Sequence, residues 1–80
     1  MIGSPIDNGQ YVLDNSEIIG SNYRLQSDLY FIDGRYYIMP ALGRSVLEIT
    51  KREAMEHFPD SFNAECEPVV RKVKKFRKLP

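Results

Sequence analysis

His57 and Cys66 are the chain's single histidine and single cysteine, so any nucleophilic or metal chemistry would have to be assembled around them. Glu53 and His57 stand four residues apart, a spacing that on a helix places both on one face and can chelate a metal. A lone pair falls short of the three or four protein ligands that zinc sites use, and a solvated side-chain contact explains the spacing as well. Cys66 lies between Glu65 and Glu67, whose negative charge raises a thiol pKa and discourages nucleophilic use. It therefore reads as an inert, partly buried cysteine. Paired acids such as Asp28 with Asp33, and Asp14 with Glu17, sit at turns and strand ends, where carboxylates serve backbone hydrogen bonding. Gly20, Gly34 and Gly43 are isolated and build neither a phosphate loop nor a dinucleotide fingerprint. With no nucleophile and base in a plausible arrangement, the chain reads as a non-enzyme with no metal site and no cofactor.

The remaining chemistry is charge. Acidic and basic residues number eleven each among the 80 residues, for a formal net charge of zero, but they are segregated. Residues 1–43 and 44–68 each sum to −3, and the last twelve residues carry six bases and no acid. Those bases are Arg71, Lys72, Lys74, Lys75, Arg77 and Lys78, candidate phosphate-binding residues. Val69, Val70, Val73 and Phe76 lie between them at spacings that suit one helical stripe behind Pro68, a good first-turn residue. The segment 68–80 is therefore expected as a basic C-terminal helix. It could contact nucleic acid, an acidic groove on a partner, or the acidic body of its own kind.

These residues need a scaffold, and its clearest element is DLYFIDGRYYIM. Asp33-Gly34 suits a two-residue type I′ turn, which needs positive φ at both positions. Closing the turn there pairs Ile32 with Arg35, Phe31 with Tyr36, Tyr30 with Tyr37, Leu29 with Ile38 and Asp28 with Met39. Leu29, Phe31, Tyr36 and Ile38 then share an apolar face, the expected core side, which Leu25 and Leu42 extend by parity. The opposite face carries Asp28, Tyr30, Ile32, Arg35, Tyr37 and Met39. Its aromatic content marks Tyr30, Ile32, Arg35, Tyr37 and Met39, with Val69, Val73 and Phe76, as candidate partner-binding residues. Stacking of single-stranded nucleic acid on Tyr30 and Tyr37 is disfavoured beside a cross-strand aromatic pair or a second buried face, because the surrounding body is acidic.

Around the hairpin, Tyr11–Leu13 and Glu17–Ile19 read as short β-prone pieces, the second ended by Gly20, Ser21 and Asn22. SVLEI reads as a further strand with Leu47 and Ile49 on one side and Val46 and Glu48 on the other. Thr50 and Glu53 then form a capping box, Ile49 and Ala54 a hydrophobic staple, and Pro59 closes a helix near 51–58. Arg52 and Glu56 are spaced for an exposed ion pair on that helix.

The expected architecture is α+β: a small antiparallel β-sheet built on the 28–39 hairpin, one packed helix and the basic C-terminal helix. A small SH3-like or OB-like barrel is the alternative. Residues 1–9 read as a flexible lead-in, 10–67 as the domain and 68–80 as the basic element. No leader or membrane-spanning run is visible, which sets a cytoplasmic expectation. A chain this short buries a thin core and often gains stability by docking. The expected function is a small protein-interaction module, of the regulatory or inhibitory kind that phages and mobile elements encode, whose partner is a larger protein or a second copy. The alternative is a nucleic-acid-binding accessory factor.

Overall fold

The computed structural model describes residues 2–40 and 45–69. Their order is β1 (Ser4–Pro5), α1 (Gly9–Asn15), β2 (Glu17–Asn22), β3 (Ser27–Ile32), β4 (Arg35–Ile38), β5 (Leu47–Ile49), α2 (Lys51–His57) and a 3-10 turn at Pro59–Ser61. The strands form one antiparallel sheet in the order β1-β5-β4-β3-β2. β1 and β2 are its edges, so the sheet is open and the barrel alternative does not apply among the described residues. The fold is α+β.

The central hairpin has the expected register: Ile32 faces Arg35, Phe31 faces Tyr36 and Tyr30 faces Tyr37. Asp33 at φ 56° and Gly34 at φ 73° supply the two positive φ values that the tight turn demands. Beyond Tyr30 the geometry departs from a continued ladder. The Met39 N–H donates to Ser27 Oγ at 2.8 Å, and that hydroxyl donates to the Asp28 carbonyl at 2.8 Å. A buried serine thus closes the end of the hairpin where backbone pairing was expected.

One face of the sheet carries the first core: Ile19, Leu29, Tyr36, Ile38 and Ile49 pack with Ala54 of α2 and with Phe58, and Phe31, Leu25 and Leu47 lie against them. This is the face that strand parity selects. Phe31, Tyr36 and Phe62 continue it as a row of tilted rings with centroids 5.1 and 5.6 Å apart. α2 is placed by local chemistry. The Glu53 N–H donates to Thr50 Oγ1 at 3.1 Å and the Thr50 N–H to Glu53 Oε1 at 2.9 Å, a complete capping box.

β2 runs through Gly20 and Ser21 to Asn22, further than its turn-forming residues suggest. A bulge explains part of this. Ile18 faces Tyr30 and Gly20 faces Leu29, so Ile19 is the extra residue, and it turns into the first core. Gly20 then meets the 3-10 turn so closely that a Cβ there would collide with the Ser61 hydroxyl. The missing side chain is what lets Ser61 lie on the strand.

The opposite face holds a second core, and here the sequence reading needs correction. Tyr11–Leu13 is helical, not a strand: α1 lies over this face and buries Val12 against Tyr37 and Val46, with Ile6, Leu13, Tyr30, Ile32 and Met39 around them. The face taken for an outer contact surface is a packed layer within the same chain. Before α1, Ser4–Pro5 pairs with β5 inside the stretch read as a lead-in, with Ile2 against the first core and Ile6 against the second.

At the other end, Pro68 forms an antiparallel bridge with Phe62, and the Val69 N–H donates to the Ser61 carbonyl at 2.8 Å. The helix expected to open at Pro68 does not begin there. Residues 70–80, with Val73, Phe76 and all six clustered bases, lie outside the described residues, as does Leu42. Among the described residues no helix is long and apolar enough to cross a membrane.

Candidate functional site

The residues first marked for chemistry are kept apart. Glu53 Oε1 accepts from both the Thr50 N–H and the Thr50 hydroxyl, so the capping box holds this carboxylate at the start of α2 and away from His57 at its end. The backbone carbonyl of His57 accepts from Asn22 Nδ2 at 2.6 Å, which ties the end of α2 to the end of β2. Cys66 is exposed, not partly buried. It sits in a loop built by Asn63, whose Oδ1 accepts from the Glu65 and Glu67 N–H groups at 2.9 and 3.0 Å. Its φ of 62° belongs to that tight loop. Among the described residues no three His, Cys, Asp or Glu side chains gather as metal ligands.

The candidate contact residues divide by exposure. Tyr37 is 5% exposed and Asp28 6%, while Tyr30, Ile32 and Met39 are half-buried beneath α1. Arg35 is exposed at the hairpin tip, 3.8 Å from Glu48 on the neighbouring strand, a surface ion pair of less than about 1 kcal/mol. The expected Arg52–Glu56 pair on α2 is not formed; both side chains are exposed. Val69 is half-buried at the end of the described chain.

A different surface stands out, at the end of the sheet where β2 turns into β3. Among the described residues two large apolar side chains face solvent, Tyr23 at 86% and Tyr11 on α1 at 49%. The turn that carries it is well defined. The Leu25 N–H donates to Asn22 Oδ1 at 3.0 Å, and the Gln26 N–H donates to the Tyr23 carbonyl at 3.2 Å. Gln26 occupies φ 53°, a left-handed conformation that costs an ordinary residue about 1 kcal/mol. Arg24, Leu25 and Gln26 line an open cleft of about 370 Å³ with Pro40, which leaves β4 at the same end. Aromatic and arginine side chains beside an apolar cleft are the composition enriched at binding hot spots.

Tyr23–Gln26 lies in a turn, outside the strand faces on which alternation of apolar residues marks a site. The available signal is a tyrosine and an arginine in a short polar turn, where glycine, asparagine, aspartate and serine are the usual residues. A second cleft, of about 360 Å³, lies between β1 and the start of α2, lined by Gly3, Ser4, Glu48, Ile49, Thr50 and Glu53. Its two carboxylates are already engaged, Glu48 with Arg35 and Glu53 in the capping box.

All eleven acidic residues fall within the described residues, with only Arg24, Arg35, Lys51 and Arg52 to offset them, a net of −7. Arg24 is therefore a local positive charge on an acidic body. No protein-family model matches the chain, and neither the curated proteins nor the solved structures contain a match.

Proposed function

We propose that this chain is a small, non-catalytic protein-interaction module that contacts its partner through the β2–β3 turn. The observation that carries the reading is Tyr23, 86% exposed and next in the chain to Arg24, which lines the cleft with Leu25, Gln26 and Pro40. Both sheet faces are occupied by the chain's own helices, so the strand-face residues are spent on stability. At 86% exposure most of the Tyr23 side chain faces solvent, and a protein partner would bury its ring at low entropic cost because it has few rotatable bonds. Such a module acts by covering a surface on a larger protein, as a regulator or inhibitor.

The test is affinity capture with the full chain, followed by a measured dissociation constant for whatever is retained. Tyr23→Ala and Arg24→Ala are expected to weaken binding by roughly tenfold or more each, the hot-spot range, while Arg35→Ala at the other end of the sheet leaves it unchanged. Equal binding by all three variants would remove the turn from the interface.

The charge distribution supports a second reading, in which Arg71, Lys72, Lys74, Lys75, Arg77 and Lys78 contact nucleic-acid phosphates. Six such contacts on duplex DNA would give a log-log salt slope on the order of −5. Truncation after Pro68 would abolish that dependence. A full chain whose weak DNA binding is unaltered by truncation excludes this reading and leaves the first intact.

A further inference from the structure

The chain contains four asparagines, at 8, 15, 22 and 63, and the structure treats one of them differently. Asn15 Nδ2 donates to the Tyr11 carbonyl, Asn22 Nδ2 to the His57 carbonyl, and Asn63 Oδ1 accepts from two backbone N–H groups. Each of these side-chain amides is held. Asn8 is exposed at the N-cap of α1 and makes no capping hydrogen bond, and the residue after it is Gly9. Ser16, Tyr23 and Ala64 follow the other three, each with a Cβ that hinders approach to the backbone nitrogen.

We propose that Asn8-Gly9 is a site of spontaneous deamidation, and that its isoaspartyl product loosens α1 from the second core. The Gly9 amide nitrogen, deprotonated by hydroxide, attacks Asn8 Cγ. A bond forms between that nitrogen and Cγ, the Cγ–Nδ2 bond breaks, and Nδ2 takes a proton from water and leaves as ammonia, which regenerates the hydroxide and gives a five-membered succinimide. Water then opens the ring at one of its two carbonyls. One opening gives aspartate; the other gives isoaspartate, in which the main chain runs through Cβ and Cγ. No oxidant or cofactor enters.

Three features of the fold bear on the step. Gly9 is the first helical residue, where an N–H has no acceptor within the helix. Ring closure requires Asn8 to leave its ψ of 38°, and the backbone bond to be released is the 3.1 Å one from the Val12 N–H to the Asn8 carbonyl. α1 is only seven residues long with no acid in its first turn, so that turn opens readily. The two products then differ in consequence. Aspartate at the N-cap is a better cap than an unbonded asparagine and places a negative charge at the helix start. Isoaspartate lengthens the main chain by one carbon just before Gly9, which sits so near Val46 that a Cβ there would lie 3.2 Å from Cγ2. That displacement draws Val12 away from Tyr37 and Val46.

The experiment is to age the folded full chain at neutral and mildly alkaline pH and to map the replacement of NH by O by peptide mass spectrometry. Fragmentation that separates aspartate from isoaspartate assigns the product. The expected result is conversion confined to Asn8, faster at the higher pH, and absent from that position in Asn8→Gln. Earlier conversion at Asn15, Asn22 or Asn63 would overturn the site. So would an intact Asn8 over a period in which the same chain, unfolded in urea, is fully converted. The separated isoaspartyl fraction is expected to unfold at a lower urea concentration than an Asn8→Asp chain; coincident midpoints would refute the loosening of α1.

Discussion

Val12 and Tyr11 are adjacent, and the placement of α1 assigns them opposite fates. Val12 is fully buried between α1 and the sheet, against Tyr37 and Val46, while Tyr11 is 49% exposed. Val12→Ala removes the equivalent of two methylenes, about 1.6 kcal/mol at roughly 0.8 kcal/mol each. The cavity left behind raises the loss to about 2 kcal/mol. For a domain of this size that corresponds to a fall in Tm of roughly 8–16 °C, at about 4–8 °C per kcal/mol. Tyr11→Ala should remain within about 0.5 kcal/mol of the parent, as surface changes do. Urea unfolding followed by circular dichroism measures both, with an unchanged m-value showing that the same surface is exposed in each variant. Were residues 11–13 a strand, Tyr11 and Leu13 would share the buried face and Val12 would point away. A larger loss from Tyr11→Ala than from Val12→Ala would therefore refute the helix and, with it, the second core.

Other consequences are equally direct. Thr50→Ala removes the oxygen that accepts from the Glu53 N–H and should cost about 1 kcal/mol in the same unfolding assay, with α2 the first element to lose amide protection. Gln26→Gly relieves a left-handed residue and should raise stability by up to about 1 kcal/mol, offset in part by glycine's greater freedom when unfolded. Burial raises the Tyr36 pKa above its usual 10.0. The folded state then holds the phenolic proton more tightly, so this contribution is intact below pH 10 and is lost as pH rises through the folded value. Tyr36→Phe should flatten that alkaline decline in a pH series of unfolding midpoints, and an unchanged alkaline slope would show that Tyr36 is not its source.

What was legible in the sequence was local. Asp33-Gly34 specifies its turn by backbone preference alone, the turn fixes the Phe31–Tyr36 and Tyr30–Tyr37 register, and parity then selects the first core. Thr50 and Glu53 announce α2 because a capping box needs no distant partner. α1 was illegible for the converse reason. Tyr11 and Val12 favour strands, Asn8 gives no cap, and the helix is held by burying Val12 on residues more than twenty positions away. Without α1 the face it covers reads as free, so the sequence marks Tyr37 as a contact residue although its side chain is buried. Pro68 shows the same limit, since its bridge to Phe62 depends on the loop that Asn63 folds.

The β2–β3 turn as the contact surface is tested most directly by amide chemical-shift mapping of the labelled full chain titrated with a captured partner. The largest changes are expected at Tyr23, Arg24, Leu25 and Gln26, with α1 and the Tyr30–Met39 face unmoved. Changes concentrated on α1 and on Tyr30, Ile32, Tyr37 and Met39, with the turn unaffected, would contradict it.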